Sequence, residues 1–281
     1  MRNGIVIYTK KDSDKNKSYI NWLIDEGKSK NLNIKLVLDK DISNLKDTYV
    51  LNSCNDNYEV AKDLVNLKYT FAINRSRNFN ITQKLEEFGV RVFNKYKFCV
   101  LGNDKLKAYD YVESLGIKYP KVYRFLDKIN MGGKIIEKPR NGHGGENIKI
   151  LKDFDNLNFD KNVYQEYIED YIGDIRFYII DNKIEHAVIR IPQKKSLVSN
   201  FTKGGNVEIY NYSNKEEDII NKILKDISID FGGIDFLLLK NGEILFNEFE
   251  DAVGSRMLSY LGINNTMEKF LNYIVGETKG N

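Results

Sequence analysis

The sequence predicts an α/β protein whose C-terminal part is α+β. In the first hundred residues, short β-like runs alternate with segments whose apolar residues recur every three to four positions, as expected for strands separated by helices. From Lys134 onward, strand-like runs follow one another and are separated by hairpin signals such as Asp181-Asn182 and Asn241-Gly242. The chain therefore divides into a parallel-sheet part and a strand-rich part.

Composition and charge narrow the classes of partner. The chain has 281 residues, of which 42% are hydrophobic and 30% charged, and 43 basic against 40 acidic residues give a net charge of +3. This balance is too small to predict nucleic acid as a partner. No apolar run approaches the roughly 18 residues of a membrane span, so we expect a cytoplasmic protein without a membrane partner. Cys54 and Cys99 lack metal-like or redox-like spacing and are expected to be free thiols.

The N-terminal part is predicted to be a parallel, Rossmann-like sheet. No G-x-G-x-x-G follows its first strand, which argues against a dinucleotide at that position. The predicted strands are 4–8, 33–38, 48–52, 69–74 and 90–94, and the predicted helices between them are 18–30, 57–67 and 81–89.

Three further helices are predicted in the rest of the chain. The first has Asn103 as its capping residue and stops at Gly116. The others cover 215–227 and 266–275, where apolar residues again have helical spacing.

A glycine-rich loop lies between two predicted strands, directly after Lys138. It contains Gly142, Gly144 and Gly145, and glycine allows a backbone to approach a ligand closely or to adopt positive φ. The neighbouring cations favour an anionic ligand, although a plain turn remains an alternative. A Walker loop is excluded because the G-K-[ST] ending is absent, so a phosphate-binding loop here would be a flap at the tip of a β-hairpin. His143 at this tip is expected to be exposed.

Three carboxylates form a candidate metal site on the hairpin around Asn241-Gly242. Asp235 lies in an apolar run on one strand, and Glu248 and Glu250 share a face of the partner strand. Mg²⁺ prefers such hard oxygen ligands. The alternative to a metal site is that these acids lie on a solvent-exposed face of the hairpin, where acidic residues are common.

Two strand arginines and a second glycine pair complete the candidates. Arg176 and Arg190 lie on paired strands, where a buried guanidinium would bind phosphate or carboxylate and an exposed one would be a surface residue. Asn200 shortly precedes Gly204 and Gly205.

The order of these motifs resembles the ATP-grasp superfamily, and most of all the RimK-like carboxylate–amine ligases. The likeness extends over 93–262 through "NDKLKAYDYVESLGIKYPKV", "IIEKPRNGHGGENIKIL", "VYQEYIE", "GDIRFYIIDNKIEHAVIR", "SN…KGG", "GGIDFLLL" and "ILFNEFE". It implies an ATP-grasp fold in which two α+β subdomains enclose ATP. The implied domains are an N-terminal Rossmann-like domain (1–97), a central subdomain with the flap (98–167) and a C-terminal subdomain with the metal site (168–281).

The resemblance also implies a role for each matching residue. Two lysines reach the ATP phosphates under the glycine flap, a strand pairs with adenine, and an acid meets the ribose. Arginines and an asparagine contact the transferring phosphate or the substrate, and three acids bind the metal. The lysines are Lys105 and Lys138, and the flap glycines are Gly142, Gly144 and Gly145. The adenine-binding strand comprises Gln165, Glu166, Tyr167 and Ile168, and the ribose acid is Glu169 or Asp174. The phosphate or substrate contacts are Arg176, Arg190 and Asn200, and the metal ligands are Asp235, Glu248 and Glu250.

The sequence departs from the family pattern after the last metal ligands. The family usually has Glu-x-Asn where this chain has Glu248-Phe249-Glu250, which adds a negative charge and bears on the choice of Mg²⁺ or Mn²⁺. The following "DAVGSRM" replaces the usual Asn-Ser-x-Pro-Gly turn, and its Arg256 is a candidate for binding a carboxylate substrate.

The activity implied by the resemblance is ATP-dependent ligation of a carboxylate to an amine through an acyl phosphate, with release of ADP and phosphate. The implied substrates are amino acids or short peptides, and a homodimer is consistent with relatives that often pair. Two alternatives stay open: a phosphotransferase of the same fold, and a non-catalytic ATP-binding module.

Overall fold

The computed structural model of the chain describes residues 1–43, 69–125, 133–145, 147–151, 156–192 and 206–279. The predicted strand 48–52 and helix 57–67 lie outside the described residues, as do Cys54, Asn200, Gly204 and Gly205.

The N-terminal part contains the parallel sheet that the sequence predicts. Its four strands are arranged in the order β2-β1-β3-β4, and all adjacent pairs are parallel. The central strand β1 is fully buried at Ile5, Val6 and Ile7, as expected when helices cover both faces of a sheet. The strands are β1 (Arg2–Tyr8), β2 (Leu32–Leu38), β3 (Phe71–Asn74) and β4 (Arg91–Phe93).

Among the described residues, four helices accompany this sheet. Ile20 and Leu23 of the second helix are buried, which is the amphipathic pattern predicted from the sequence. The Thr9 hydroxyl caps the first helix by accepting a hydrogen bond from the Asp12 N–H at 3.0 Å. The helices are α1 (Lys10–Lys15), α2 (Lys17–Ser29), α3 (Asp39–Ser43) and α4 (Phe79–Glu87).

Helices α5 (Tyr96–Asn103) and α6 (Lys105–Ser114) follow the sheet, and the predicted cap between them was wrong. Asp104 is the N-cap of α6, since its carboxylate accepts from the Lys107 N–H at 3.3 Å. Asn103 is buried at the end of α5 and its amide donates to Cys99 O and Asp251 Oδ2. That amide is therefore already used in tertiary contacts.

A small antiparallel sheet carries the glycine loop. Its strands are arranged β5-β8-β6-β7, and β6 pairs with β7 in antiparallel register on either side of the loop. The loop is therefore the tip of a hairpin, as predicted. The strands are β5 (Val122–Tyr123), β6 (Ile135–Pro139), β7 (Lys149–Ile150) and β8 (Asn162–Glu166).

A five-stranded antiparallel sheet forms the C-terminal part, in the order β11-β10-β9-β12-β13. Asp181 and Asn182 both have positive φ, 51° and 57°, and form the predicted hairpin turn. Gly242 has φ 83° in the second predicted turn. The strands are β9 (Tyr171–Ile180), β10 (Lys183–Ile191), β11 (Asn206–Ile209), β12 (Phe231–Leu239) and β13 (Ile244–Glu250).

Three helices complete the C-terminal part: α7 (Asn214–Leu224), α8 (Arg256–Tyr260) and α9 (Thr266–Glu277). The first and last correspond to the predicted helices, and α7 begins with a capping box between Ser213 and Glu216. Among the described residues, we find no helix with the length and apolar character needed to cross a membrane.

The buried Asn94 connects the N-terminal sheet to the C-terminal sheet. Its amide Nδ2 donates to Phe231 O at 2.7 Å and to Asp251 O at 2.8 Å. Its Oδ1 accepts from the Asp230 and Phe231 N–H groups at 2.8 and 2.9 Å. One side chain that follows β4 thus satisfies four backbone groups, three at the start of β12 and one directly after β13.

Asn94→Ala is expected to lower the free energy of unfolding by about 3 kcal/mol, because it leaves buried backbone donors and acceptors without partners. Urea denaturation measures this loss. The exposed Asn80 of α4 provides the control, since Asn80→Ala should change stability by no more than about 0.5 kcal/mol. Equal losses for the two variants would contradict the connecting role of Asn94.

Candidate active site

The three predicted metal ligands lie together on β12 and β13. Asp235 pairs with Glu248 in the antiparallel register, and Glu250 lies two residues farther on the same strand. One carboxylate oxygen from each residue can be chosen so that all three lie within 4.8 Å of one another. Asp235 is fully buried, so it does not lie on a wet hairpin face.

Two arginines bind the Asp235 carboxylate. Nε and Nη2 of Arg176 form a fork on Asp235 Oδ1 and Oδ2 at 2.7 and 2.6 Å, and Arg190 Nη2 donates to Oδ2 at 2.7 Å. Burial acts to raise the pKa of the Asp235 carboxyl, but the two arginines outweigh burial and hold that pKa below its ordinary value. The strand arginines are therefore buried and paired with a carboxylate, which is one of the two outcomes the sequence left open.

The extra carboxylate of Glu250 is balanced within the same network, because Arg176 Nη2 donates to Glu250 Oε1 at 2.9 Å. The negative charge of Glu248 is less well balanced by neighbouring cations. Burial raises the pKa of its carboxyl despite Lys105, whose Nζ lies 3.6 Å from Glu248 Oε2. The three acids form a hard oxygen donor set that suits Mg²⁺. Because the Asp235 oxygens already accept from arginines, Glu248 and Glu250 are the more available ligands.

The two predicted phosphate-binding lysines lie beside these acids. Lys138 Nζ donates to Asn247 Oδ1 at 3.0 Å and is buried. Burial lowers the pKa of Lys138 to about 8, with Glu248 opposing the shift and Lys105 adding to it. Lys105 Nζ donates to the Gly142 carbonyl oxygen. An anionic ligand at this point would meet two ammonium groups.

The glycine loop is folded down onto Lys105. The Lys105 N–H donates to Arg140 O at 3.1 Å, and Arg140 Nε and Nη2 form a fork on the Asp104 carboxylate at 2.8 and 2.7 Å. Gly144 and Gly145 have φ of 63° and 69°, a conformation that side chains rarely adopt. The loop therefore lies over the lysines with its base fixed to the start of α6.

A cleft of about 80 Å³ separates the small sheet from the C-terminal sheet, and we call it the nucleotide cleft. Its volume is below the roughly 300 Å³ of a typical ligand pocket, so the cleft would have to widen to hold a whole nucleotide. Its lining includes most of the residues predicted to bind ATP. The lining residues are Ile136, Lys138, Ile148, Gln165, Glu166, Tyr167, Ile168, Tyr171, Asp174, Leu237 and Asn247.

The predicted adenine-binding segment offers mainly backbone groups. The Gln165 side chain is buried and donates to Tyr109 Oη at 3.1 Å, and the Tyr167 N–H donates to Lys134 O at 2.9 Å. The Ile168 N–H has no partner among the described residues. Of the two acids considered for the ribose, Asp174 lines the cleft, whereas Glu169 is exposed and pairs with Lys134 at 2.7 Å.

A second cavity, of about 260 Å³, lies on the other side of the acids, and we call it the substrate cavity. Arg176, Arg190 and Glu250 link it to the metal-ligand cluster, and the predicted Arg256 also lines it. Its remaining lining comes from the N-terminal part, the glycine loop and the segment after β13: Tyr8, Asp12, Asn16, Tyr19, Arg75, Arg77, His143, Gly144, Ala252, Gly254, Ser255 and Met257.

The N-terminal contribution to this cavity was missed from the sequence. Tyr8 ends β1, and Arg75 and Arg77 directly follow β3. Ligands of parallel sheets bind beyond the carboxyl ends of the strands, so "RSR", directly after the predicted strand 69–74, was the available signal. The expectation of an exposed His143 was wrong. His143 is partly buried, and burial together with Arg77 and Lys105 lowers its pKa to about 3, so the imidazole is neutral.

The chain is similar to several known proteins. The model of the RimK-like ATP-grasp domain matches residues 94–274, more than half of the chain. An uncharacterised protein of Mycoplasma genitalium is 24% identical over 92% of this chain and 88% of its own length. A probable alpha-L-glutamate ligase of Haemophilus influenzae is 26% identical, and the match covers 56% of this chain and about half, 51%, of that protein. The ATP complex of a D-alanine–D-alanine ligase from Bacillus anthracis superposes with a TM-score of 0.70 at 17% identity, covering 99% of this chain and 97% of that chain.

The burial and pairing of the acids predict different stabilities for two variants. Asp235→Asn is expected to lower the free energy of unfolding by about 3 kcal/mol, because it leaves two buried arginines without their shared counter-charge. Glu248→Gln should change stability by less than about 1 kcal/mol or increase it, since burial already favours the neutral carboxyl.

Urea denaturation at neutral pH distinguishes the two variants. The pKa of Asp235 is lowered on folding, so its ionised carboxylate stabilises the fold at neutral pH. This contribution to the free energy of unfolding is lost as the pH falls through the folded-state pKa. Losses of equal size for Asp235→Asn and Glu248→Gln would show that the arginine network does not carry the predicted stabilisation.

Proposed function

Since the chain belongs to the RimK-like ATP-grasp family, we propose that it is an ATP-dependent ligase that joins a carboxylate to an amine. One observation carries this proposal: the acids and lysines lie between a cleft with a backbone edge for a base and a cavity rich in arginine. A triphosphate in the cleft would direct its terminal phosphate toward a carboxylate in the cavity.

The first step transfers a phosphoryl group. A carboxylate oxygen attacks the γ-phosphorus, the bond from that phosphorus to the β,γ-bridging oxygen breaks, and ADP and an acyl phosphate result. Lys105 and Lys138 bind the phosphate oxygens, and Arg190 is placed to orient the attacking carboxylate. Charge stabilisation and positioning of this kind supply most of the rate enhancement in phosphoryl transfer.

The metal site supports this step. Of the three clustered acids, Glu248 and Glu250 are proposed to hold Mg²⁺, or Mn²⁺ in its place, beside Asp235, whose two oxygens accept from Arg176 and Arg190. The bound ion would neutralise charge on the transferring phosphoryl oxygens. Arg176 keeps the additional Glu250 carboxylate from adding uncompensated negative charge there.

The second step forms the amide. The amine nitrogen attacks the acyl carbon, the bond from that carbon to the phosphate oxygen breaks, and inorganic phosphate leaves as the nitrogen loses a proton. The glycine loop, with His143 and Gly144 on the wall of the substrate cavity, would keep water from the acyl phosphate during this step.

The proposed substrates are amino acids or short peptides. The domain division at 97 and 167, a homodimeric state and a cytoplasmic location also remain proposals.

Hydroxylamine provides a test that does not require the natural amine. Purified protein with ATP, Mg²⁺ and a panel of carboxylic acids is expected to form hydroxamates and ADP only when an acid and hydroxylamine are both present. A stable phosphoester with ADP would instead indicate a phosphotransferase. Nucleotide binding without any turnover across the panel would indicate a non-catalytic module.

The lowered pKa of Lys138 predicts a pH-dependent affinity for ATP. The phosphates attract the protonated ammonium, so affinity should fall as the pH rises through about 8, approaching tenfold per pH unit. Lys138→Arg stays charged over this range and should keep its affinity up to about pH 9. Calorimetric titration at several pH values measures the ATP affinity of the unchanged chain and of the Lys138→Arg variant. A decline of the same size in the Lys138→Arg protein would exclude Lys138 as the titrating group.

A further inference from the structure

Three buried polar atoms in the wall of the substrate cavity have no hydrogen-bond partner. They are Tyr8 Oη, Arg75 Nε and Arg190 Nε. The described residues contain only two other buried side-chain atoms of this kind, Asn103 Oδ1 and Thr266 Oγ1, and neither residue lines the cavity. Because buried polar groups are normally paired, three such atoms around one cavity indicate a polar ligand.

The three atoms belong to two different walls. Arg190 reaches the cavity from β10 and donates through Nη2 to Asp235, so it marks the end where the phosphoryl group would be transferred. Tyr8 and Arg75 come from the N-terminal sheet. The parallel register places Ile7 opposite Asn74, so Tyr8, the last residue of β1, and Arg75, the first residue after β3, lie next to each other at the carboxyl ends of these strands.

The Arg75 side chain is fixed in place with Nε unpaired. Its Nη2 donates to the carbonyl oxygens of Ala252 and Val253 at 3.1 and 2.9 Å. Its guanidinium also stacks over the Tyr19 ring, with 4.9 Å between Cζ and the ring centroid. Arg75 therefore offers a charged donor in a fixed position.

The positive charge of this wall is only partly balanced by the protein, through the buried Asp251, which acts on Arg75 and Arg77 without forming an ion pair with Arg75. Asp12 lies 3.4 Å from Arg77, and Glu250 lies 2.9 Å from Arg176, so both acids of the cavity have arginine partners. Within the described part of the chain, Arg75 forms no ion pair. A ligand that meets Tyr8 and Arg75 should therefore bring a negative charge.

We propose that the substrate cavity binds a carboxylate substrate that carries a second anionic group, and that Tyr8 and Arg75 bind this second group. The reacting carboxylate lies toward Arg190 and the metal-ligand cluster, and the second anion lies against the N-terminal sheet. The proposal rests on the proposed function for the identity of the reacting group, but binding of the second anion can be measured without turnover.

Acids of matched length test the proposal. Succinic, glutaric and adipic acids, their monoamides, and phosphono acids of equal length are titrated into the full chain with Mg²⁺ and a non-hydrolysable ATP analogue. At least one dianionic acid should bind about tenfold or more tightly than its monoamide, as expected for a charge-assisted hydrogen bond. The phosphono acids show whether the second group is a carboxylate or a phosphonate.

Two variants locate the second group. Tyr8→Phe removes only the hydroxyl, which has no partner in the protein, so the fold should be at least as stable as before. This variant should lose about tenfold in affinity for the preferred dianion while the monoamide binds as before. Arg75→Lys keeps the charge without Nε and should lose affinity to a similar degree. Arg124→Gln, which removes an arginine paired with Asp110 outside the cavity, should leave binding unchanged.

The outcomes separate this proposal from the proposed function. Tighter dianion binding that Tyr8→Phe abolishes, without hydroxamate formation, would support the anion site and reject the ligase activity. Equal binding of dianions and monoamides, no binding across the whole series, or full affinity in both variants would overturn the anion site whatever the turnover.

Discussion

The Asp235 carboxylate lies fully buried on strand β12 of the five-stranded sheet and accepts hydrogen bonds from Arg176 and Arg190. Burying these charges costs several kcal/mol for each ion, so the arrangement is stable only while all three side chains are present and well oriented. The strand order places these charged side chains together, because β12 lies between β9, which carries Arg176, and β13, which carries Glu248 and Glu250. This ionic cluster fixes the wall between the nucleotide cleft and the substrate cavity.

The charges on the two sides of that wall differ, which is consistent with phosphoryl transfer from the cleft toward the cavity. Lys138 lines the cleft, and Lys105 and Glu248 lie close enough to Lys138 to act on its charge, so cations and carboxylates there can balance a triphosphate and its metal. Arginines predominate on the cavity side, where Arg75 adds a donor from the N-terminal sheet. The residues after the N-terminal strands therefore form part of the wall of the substrate cavity, and the four hydrogen bonds of Asn94 connect the N-terminal sheet to the C-terminal sheet.

Much of this arrangement could be predicted because it depends on local patterns. Alternating apolar residues and turn dipeptides indicated the hairpins, and the two-residue spacing of Glu248 and Glu250 placed them on one face. The helix cap was misassigned because Asn103 and Asp104 are both good caps, and only the tertiary contact with Asp251 decides between them. The position of Arg75 after a strand of the parallel sheet was a local signal that was missed, but its sharing of one cavity with Tyr8 and Arg190 depends on how the sheets pack, which no local pattern encodes.

The most direct test of the account is a crystal structure of the chain with Mg²⁺ and a non-hydrolysable ATP analogue. We expect the base along 165–168, the terminal phosphates beside Lys105 and Lys138, the ion at Glu248 and Glu250, and both arginines still bound to Asp235. A nucleotide bound outside the cleft, or phosphates directed away from the acids, would contradict the central claim that cleft and cavity meet at this cluster.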